Sequence, residues 1–299
     1  MSDKGVVGFI GVGMMGWGMA KNAVEKGWPV RVVAHRAREA VEDLVGRGAV
    51  ECGSIAEMAG QCDVIVMCVT GAPQVEACVA EIVKTARPGL TILDSSTSEP
   101  DLSARLAAEL KERGITFLDA PLSRTPQHAW DGELTTYVGG PLEEVERMRP
   151  LLSAWANVVI PVKGPVGAAH AIKLANNVVA LGYVAVWSET YAMVRRLGAD
   201  PAVFHEVVSN SGMNCGNFQN YSKFVLEGDP EGHRFSIANA LKDLTYYNRM
   251  ANRSGAATLA SDGALQMLKL AGSMGYGERF VPEMYAAALA LNGDGGRED

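Results

Sequence analysis

The sequence has no pair of cysteines spaced C-x-x-C. Its five cysteines, Cys52, Cys62, Cys68, Cys78 and Cys215, are scattered and odd in number. That disfavours a zinc site or a disulfide framework, so no metal is expected and free thiols in a reducing compartment are. There is no excess of basic charge either: 27 Lys and Arg face 34 Asp and Glu, for a formal net charge of −7. Nucleic acid and anionic membranes need a basic field and are excluded as main partners. A small anion needs only a local cation and is not excluded. No run of about 20 residues is apolar without charged or polar breaks, so no membrane span is expected. The chain begins M-S-D-K and enters an apolar run at once, so no secretory leader is expected. A cytoplasmic location follows as an expectation. No short-period repeat is visible.

What is present is an ordinary globular composition, 48% apolar and 20% charged over 299 residues, enough for two domains. Strand-like apolar runs fall at 5–10, 30–34, 63–69, 90–94 and 115–119. Helix-like segments lie between them at 15–26, 37–47, 73–85 and 100–113. Such alternation predicts a parallel, doubly wound α/β sheet covered on both faces. Runs at 134–138 and 157–162 extend it. Past Gly164 no strand pattern recurs. One long helix is expected at 166–196, then helices at 201–209, 236–252, 257–274 and 280–291. The expected division is a dinucleotide-binding domain over 1–163, an all-helical domain over 164–292, and a disordered polar tail over 293–299.

F-I-G-V-G-M-M-G leaves the first strand and opens the first helix. Gly11, Gly13 and Gly16 have G-x-G-x-x-G spacing. The first glycine permits the tight turn, the second lets a pyrophosphate approach the backbone, and the third lets helix and strand pack closely. Its place after strand one makes the segment Gly11, Val12, Gly13, Met14, Met15, Gly16 a dinucleotide cradle. A free ribose 2′-hydroxyl calls for an acid at the end of strand two. Ala34 stands there, followed by His35, Arg36 and Arg38. Missing acid and adjacent cations favour NADP, with NAD as the alternative if those arginines are only solvated.

Lys173 lies between Ile172 and Leu174 in the long helix, with His170 and Asn177 about one turn to either side on the same face. A lysine buried there would have a depressed pKa and serve as a proton donor or acceptor. The plain alternative is a snorkelling lysine. His170 reads as a satisfied packing residue. In D-A-P-L-S-R-T-P-Q, residues 119–127, two prolines stiffen a turn that carries Arg124. It is either a solvated cation or an anion clamp.

Together F-I-G-V-G-M-M-G-W-G-M-A-K-N, D-S-S-T at 94–97, D-A-P-L-S with D-G-E-L-T-T-Y-V-G-G after it, K-L-A-N-N behind a G-x-x-G, and L-K-D-L at 241–244 resemble the β-hydroxyacid dehydrogenases over nearly the whole chain. A larger decarboxylating relative, 6-phosphogluconate dehydrogenase, shares part of the pattern with a far longer helical domain. The resemblance implies a Rossmann domain, a long connecting helix and a helical domain that forms a homodimer or homotetramer. It implies Lys173 as general acid and Asn177 as its catalytic neighbour that positions substrate. Ser123 would bind the substrate's acid group. Cys68, Val69 and Thr70 would line the adenosine side, Ser96 and Thr97 the nicotinamide side. Lys242 and Asp243 would close over the cofactor, and residues 213–218 would form a loop over the substrate.

Three departures from the family pattern stand out. Arg124 and Thr125 replace two glycines that usually follow the serine, and this S-R-T loop looks like that of sulfolactaldehyde reductase, where arginine holds a sulfonate. Arg124 thus becomes an expected clamp for a carboxylate or sulfonate, with Thr125 as an added donor. Ala169 replaces a usual glycine, which is expected to narrow the pocket mouth. A-H-R after strand two matches neither common cofactor signature. Competing readings are an imine reductase and a non-catalytic NADP-binding protein on the same fold; both would be expected to lack Lys173.

Overall fold

Residues 4–36 and 38–293 are described by a computed structural model. Contacts divide the chain into two compact units, Met1–Lys173 and Leu174–Asp299, with the break inside the long helix.

The first unit is built on nine strands: β1 (Val7–Ile10), β2 (Val30–Val33), β3 (Val50–Cys52), β4 (Val64–Met67), β5 (Thr91–Asp94), β6 (Thr116–Asp119), β7 (Leu122–Ser123), β8 (Leu134–Gly139) and β9 (Ala156–Val162). The sheet order is β3-β2-β1-β4-β5-β6-β8-β7, with β9 on β8. The first six are parallel and reverse direction of growth between β1 and β4, the switch point where such sheets bind ligands. Beyond β6 the expected parallel extension changes: β8 runs antiparallel to β6 and β7, and β9 is parallel to β8.

Alternation along each strand fills two cores, one per face. Val7, Phe9, Val66 and Leu93 pack on one side with Trp155, whose ring meets Phe9 edge-on at 5.8 Å. Ile10, Ile65, Met67 and Ile92 pack on the other. Helices α1 (Gly16–Glu25), α2 (Arg38–Gly46), α3 (Ile55–Ala59), α4 (Ala72–Ile82), α5 (Pro100–Lys111), α6 (Pro126–Asp131) and α7 (Leu142–Leu152) are the coverings and connections. The five-residue α3 is too short for apolar periodicity; Ser54 starts it by accepting from the Glu57 amide at 3.0 Å.

The long helix α8 (Ala168–Arg196) starts two residues later than expected. The second unit holds α9 (Pro201–Ser209), α10 (Gly216–Glu227), α11 (Ile237–Arg253), α12 (Leu259–Ala271) and α13 (Met284–Leu291). Its core joins Leu181, Val184, Trp187 and Tyr191 of α8 to Phe218, Tyr221, Ile237 and Leu244. The loop expected at 213–218 is therefore only partly a loop. Asn217 and Phe218 belong to α10, because Phe218 and Tyr221, one turn apart, are fully buried. By length and composition α8 is apolar enough to cross a membrane, a test that the core helix of a soluble protein also passes, and part of its surface lies in this core. The expected tail lies, apart from Gly293, outside the described residues.

Candidate active site

The turn after β1 is shaped by close approach. Gly11 has φ 89°, and a Cβ there would sit 2.2 Å from the Cys68 carbonyl oxygen. A Cβ on Gly16 would sit 2.0 Å from the Gly11 oxygen, whereas one on Gly13 would meet nothing within 4 Å. The outer two glycines are thus forced by packing and the middle one faces open space. Helix α1 begins with no side-chain cap and no acidic residue in its first turn. Its orphan amides and positive dipole end are left for an anion. These features fit a dinucleotide pyrophosphate. Val12 is buried at 4% exposure, and Met14 is exposed beside half-buried Met15.

Cys68, Val69 and Thr70 follow β4, and Ser96 and Thr97 follow β5, all on the strand-end edge that carries the glycine turn. Burial pushes the Cys68 thiol up to about 12, so it stays neutral. The Ser96 hydroxyl accepts from the Val69 amide at 3.0 Å and the Ser96 amide donates to Asp94 Oδ1 at 3.0 Å. Ser96 therefore ties the two loops together. Past β2, His35 and Arg36 are exposed. Arg38 is already engaged: it donates to both Glu51 oxygens, at 2.6 and 2.9 Å, and to Glu42 at 2.9 Å. These hydrogen bonds, Glu51 first, hold its guanidinium above the usual range. That leaves Arg36, next to His35, as the arginine of this turn without an ion pair among the described residues.

Ser123 pairs with Thr135 across the antiparallel β7–β8 ladder, and its hydroxyl hydrogen-bonds to that of Tyr137. Arg124 has φ 88°, the only non-glycine residue with positive φ among those described. It is exposed and uses one N–H, Nη1 to the Glu133 carbonyl at 3.2 Å. A guanidinium carries five N–H donors, so most remain available. Thr125 sits at the head of α6 with Oγ1 2.7 Å from His128 Nδ1. The far end of α6 is braced on α1: Asn22 Nδ2 donates to the Ala129 and Trp130 carbonyls at 2.9 and 3.0 Å. The helix that carries the glycine turn thus also fixes the helix that carries the Arg124 loop.

Lys173 is half-buried on α8, and His170, one turn before it, is fully buried. Ala169 is also fully buried. In the second unit, Asn177 is 8% exposed and its Nδ2 donates to Asp243 Oδ2 at 2.7 Å. Lys242 Nζ lies 2.7 Å from Asp243 Oδ1 and 5.2 Å from the centre of the Tyr246 ring. Asp243 is buried at 2% exposure and accepts from Asn177. Sequence reasoning passed over Tyr137, although the alternation in L-T-T-Y-V places it on the Thr135 face. No group of three or more His, Cys, Asp or Glu among the described residues is placed to hold a metal.

A glycine cradle at the switch point of this sheet, next to an uncapped helix, defines the nucleotide site of a Rossmann oxidoreductase. Residues 6–164 match the model of the NAD binding domain of 6-phosphogluconate dehydrogenase, and residues 167–287 match that for NAD-binding of NADP-dependent 3-hydroxyisobutyrate dehydrogenase. L-threonate dehydrogenase of Cupriavidus necator is 31% identical over 91% of this chain and 92% of its own. A crystal structure of 3-hydroxyisobutyrate dehydrogenase from Salmonella typhimurium superposes with a TM-score of 0.85 at 27% identity, covering 96% of this chain and 99% of that one. An imine reductase from a Pseudomonas species shares the fold at 20% identity, with a TM-score of 0.60 over 95% of this chain and 99% of that one. The chain belongs to the β-hydroxyacid dehydrogenase family and is an NAD(P)-dependent hydroxyacid dehydrogenase.

Proposed function

We propose that this enzyme interconverts a small 3-hydroxy acid and its acid-bearing aldehyde, with Arg124 as the clamp for a carboxylate or sulfonate. The observation that carries this reading is Arg124 itself, an exposed arginine held at φ 88° beside Ser123. An arginine in the left-handed region costs roughly 1–2 kcal/mol that a glycine would avoid. Strain of that kind persists where function uses it. Ser123 and Thr125 add hydroxyl donors at the same turn.

The bound nicotinamide supplies or takes up the hydride. In the reductive direction Lys173 gives a proton to the carbonyl oxygen, and in the oxidative direction it takes one from the hydroxyl. Asn177 has its Nδ2 committed to Asp243, which leaves Oδ1 to accept from the substrate hydroxyl. Residues 11–16 would hold the pyrophosphate, with Cys68–Val69–Thr70 on the adenosine side and Ser96–Thr97 on the nicotinamide side, and Lys242 would serve as a further cofactor contact. The presence of Lys173 favours this reading over an imine reductase or a non-catalytic binder. Initial rates on aldehydes matched in length and differing in charge test it.

NADP is the favoured cofactor, because Ala34 replaces the ribose-binding acid and His35 and Arg36 are exposed beside it. Arg36→Ala is expected to lower kcat/KM for NADPH about 10-fold, the worth of one charge-assisted contact, and to leave NADH unchanged. Equal loss with both cofactors would remove Arg36 from the phosphate site.

The second unit leaves Val179, Tyr183, Val186 and Met193 exposed along α8, with Leu197 one residue past its end. Their spacings of three, four and seven residues form one seam. A second copy of the chain is the occupant this seam suits, which gives a homodimer or a tetramer built from it. Val186→Glu is expected to shift the assembly towards monomer in sedimentation; an unchanged mass would place the interface elsewhere.

A further inference from the structure

We infer that His170 is a positioning residue that locks the turn carrying Lys173 to the Ser96–Thr97 loop, a role that rests on the reading of Lys173 as proton donor. His170 is fully buried and is held in three directions, two through its ring and one through its backbone. Its Nε2 lies 3.1 Å from the Ser96 carbonyl and its Nδ1 2.8 Å from Ser103 Oγ on α5. Its own amide donates to Asp119 Oδ2 at 2.9 Å. A carbonyl oxygen only accepts, so Nε2 carries the proton. Nδ1 shares its hydrogen bond with the Ser103 hydroxyl, whose single hydrogen is also within reach of the Glu99 carbonyl at 3.3 Å. Asp119, from the end of β6, serves as the cap that the first turn of α8 lacks in its own sequence.

The far side of the contact is equally fixed. Ser96 is held by Asp94 Oδ1 and by the Val69 amide. Asp94 Oδ2 stands 4.0 Å from Nε2, and its carboxyl is held above the usual range, chiefly by burial. The imidazole therefore joins the loop after β5 and helix α5 to the first turn of α8, three residues before Lys173, while the His170 amide ties that turn to β6 through Asp119. A displacement of about 1 Å in a reacting group can cost a hundredfold in rate, so a link this stiff has kinetic consequences without touching substrate.

The test compares His170→Leu, which keeps bulk and removes the hydrogen bonds, with His170→Gln, whose amide can donate to Ser96 and accept from Ser103. Measured are kcat, KM for aldehyde and NADPH, the isotope effect with deuterated NADPH, and melting temperature. The leucine variant is expected to lose roughly 30-fold in kcat, with a larger isotope effect and an NADPH KM within about threefold of wild type. The glutamine variant is expected to recover most of that loss. A folded leucine variant with wild-type kcat, or a loss that glutamine does not recover, overturns the role. If leucine prevents folding, Ser103→Ala removes one arm alone, and an unchanged kcat there overturns it too. The parent reading is separable: Lys173→Ala at full turnover would sink the proton donor, whereas an inactive Lys173→Ala beside unaffected His170 variants would sink only the positioning.

Discussion

Replacing Arg124 by alanine is expected to lower kcat/KM for the acid-bearing substrate by roughly 10- to 100-fold, mostly through KM, because a hydrogen bond to a charged group is worth about 1.5–3 kcal/mol. Affinity for NADPH should not change, since Arg124 lies on the β7–α6 turn and not on the glycine cradle. Uncharged aldehydes should be turned over equally well by both proteins. Arg124→Gly sharpens the test. Glycine is at ease at φ 88°, so relief of strain offsets its greater freedom in the unfolded chain. Its melting temperature is expected to match or exceed wild type while the preference for anions is lost. Loss of activity together with stability would mean that Arg124 is structural. Equal loss on charged and uncharged aldehydes would mean that it does not hold the acid group.

Lys173→Ala carries the largest expected effect. General acid–base catalysis by a positioned side chain contributes about 10²–10⁴-fold, and a loss in that range is expected in kcat for both directions. NADPH binding, followed by fluorescence, should stay within about threefold, because the phosphate site of such folds lies at the glycine turn. Lys173→Arg is expected to rescue little, since a guanidinium does not release its proton near neutrality. Asp243→Ala should show a weaker effect of the same kind, because it frees the Asn177 amide that Asp243 Oδ2 now holds at 2.7 Å.

Much of this site was legible along the chain because its parts are local. The spacing of Gly11, Gly13 and Gly16 needs only one turn, and the strand and helix periods around it sort the elements of the Rossmann half. Arg124 was visible as a departure from glycine, but its positive φ was not, since only the β7–β8 pairing fixes that turn. The reversal at β8 was hidden for the same reason. Two-residue β7 has no pattern of its own, and without it Tyr137 cannot be brought to Ser123. Strand β3 and helix α3 are too short to show a period. Partners far apart in sequence were also out of reach: Glu51 on Arg38, Asp243 on Asn177, and Ser103 on His170. Each depends on packing between elements that no local window contains. The loop expected over the substrate is shorter than its sequence suggests for another reason. Phe218 and Tyr221 start a helix there because the helical core needs their rings.

The central claim is that the chain is a dehydrogenase whose substrate is selected by its acid group at Arg124. The most direct measurement is a set of initial rates with NADPH and NADH on matched three- and four-carbon aldehydes bearing carboxylate, sulfonate or no charge. A preference of at least about 10-fold in kcat/KM for one anion over the uncharged compound is expected, abolished in Arg124→Ala. Equal rates across all three, or a preference that survives the substitution, would contradict it.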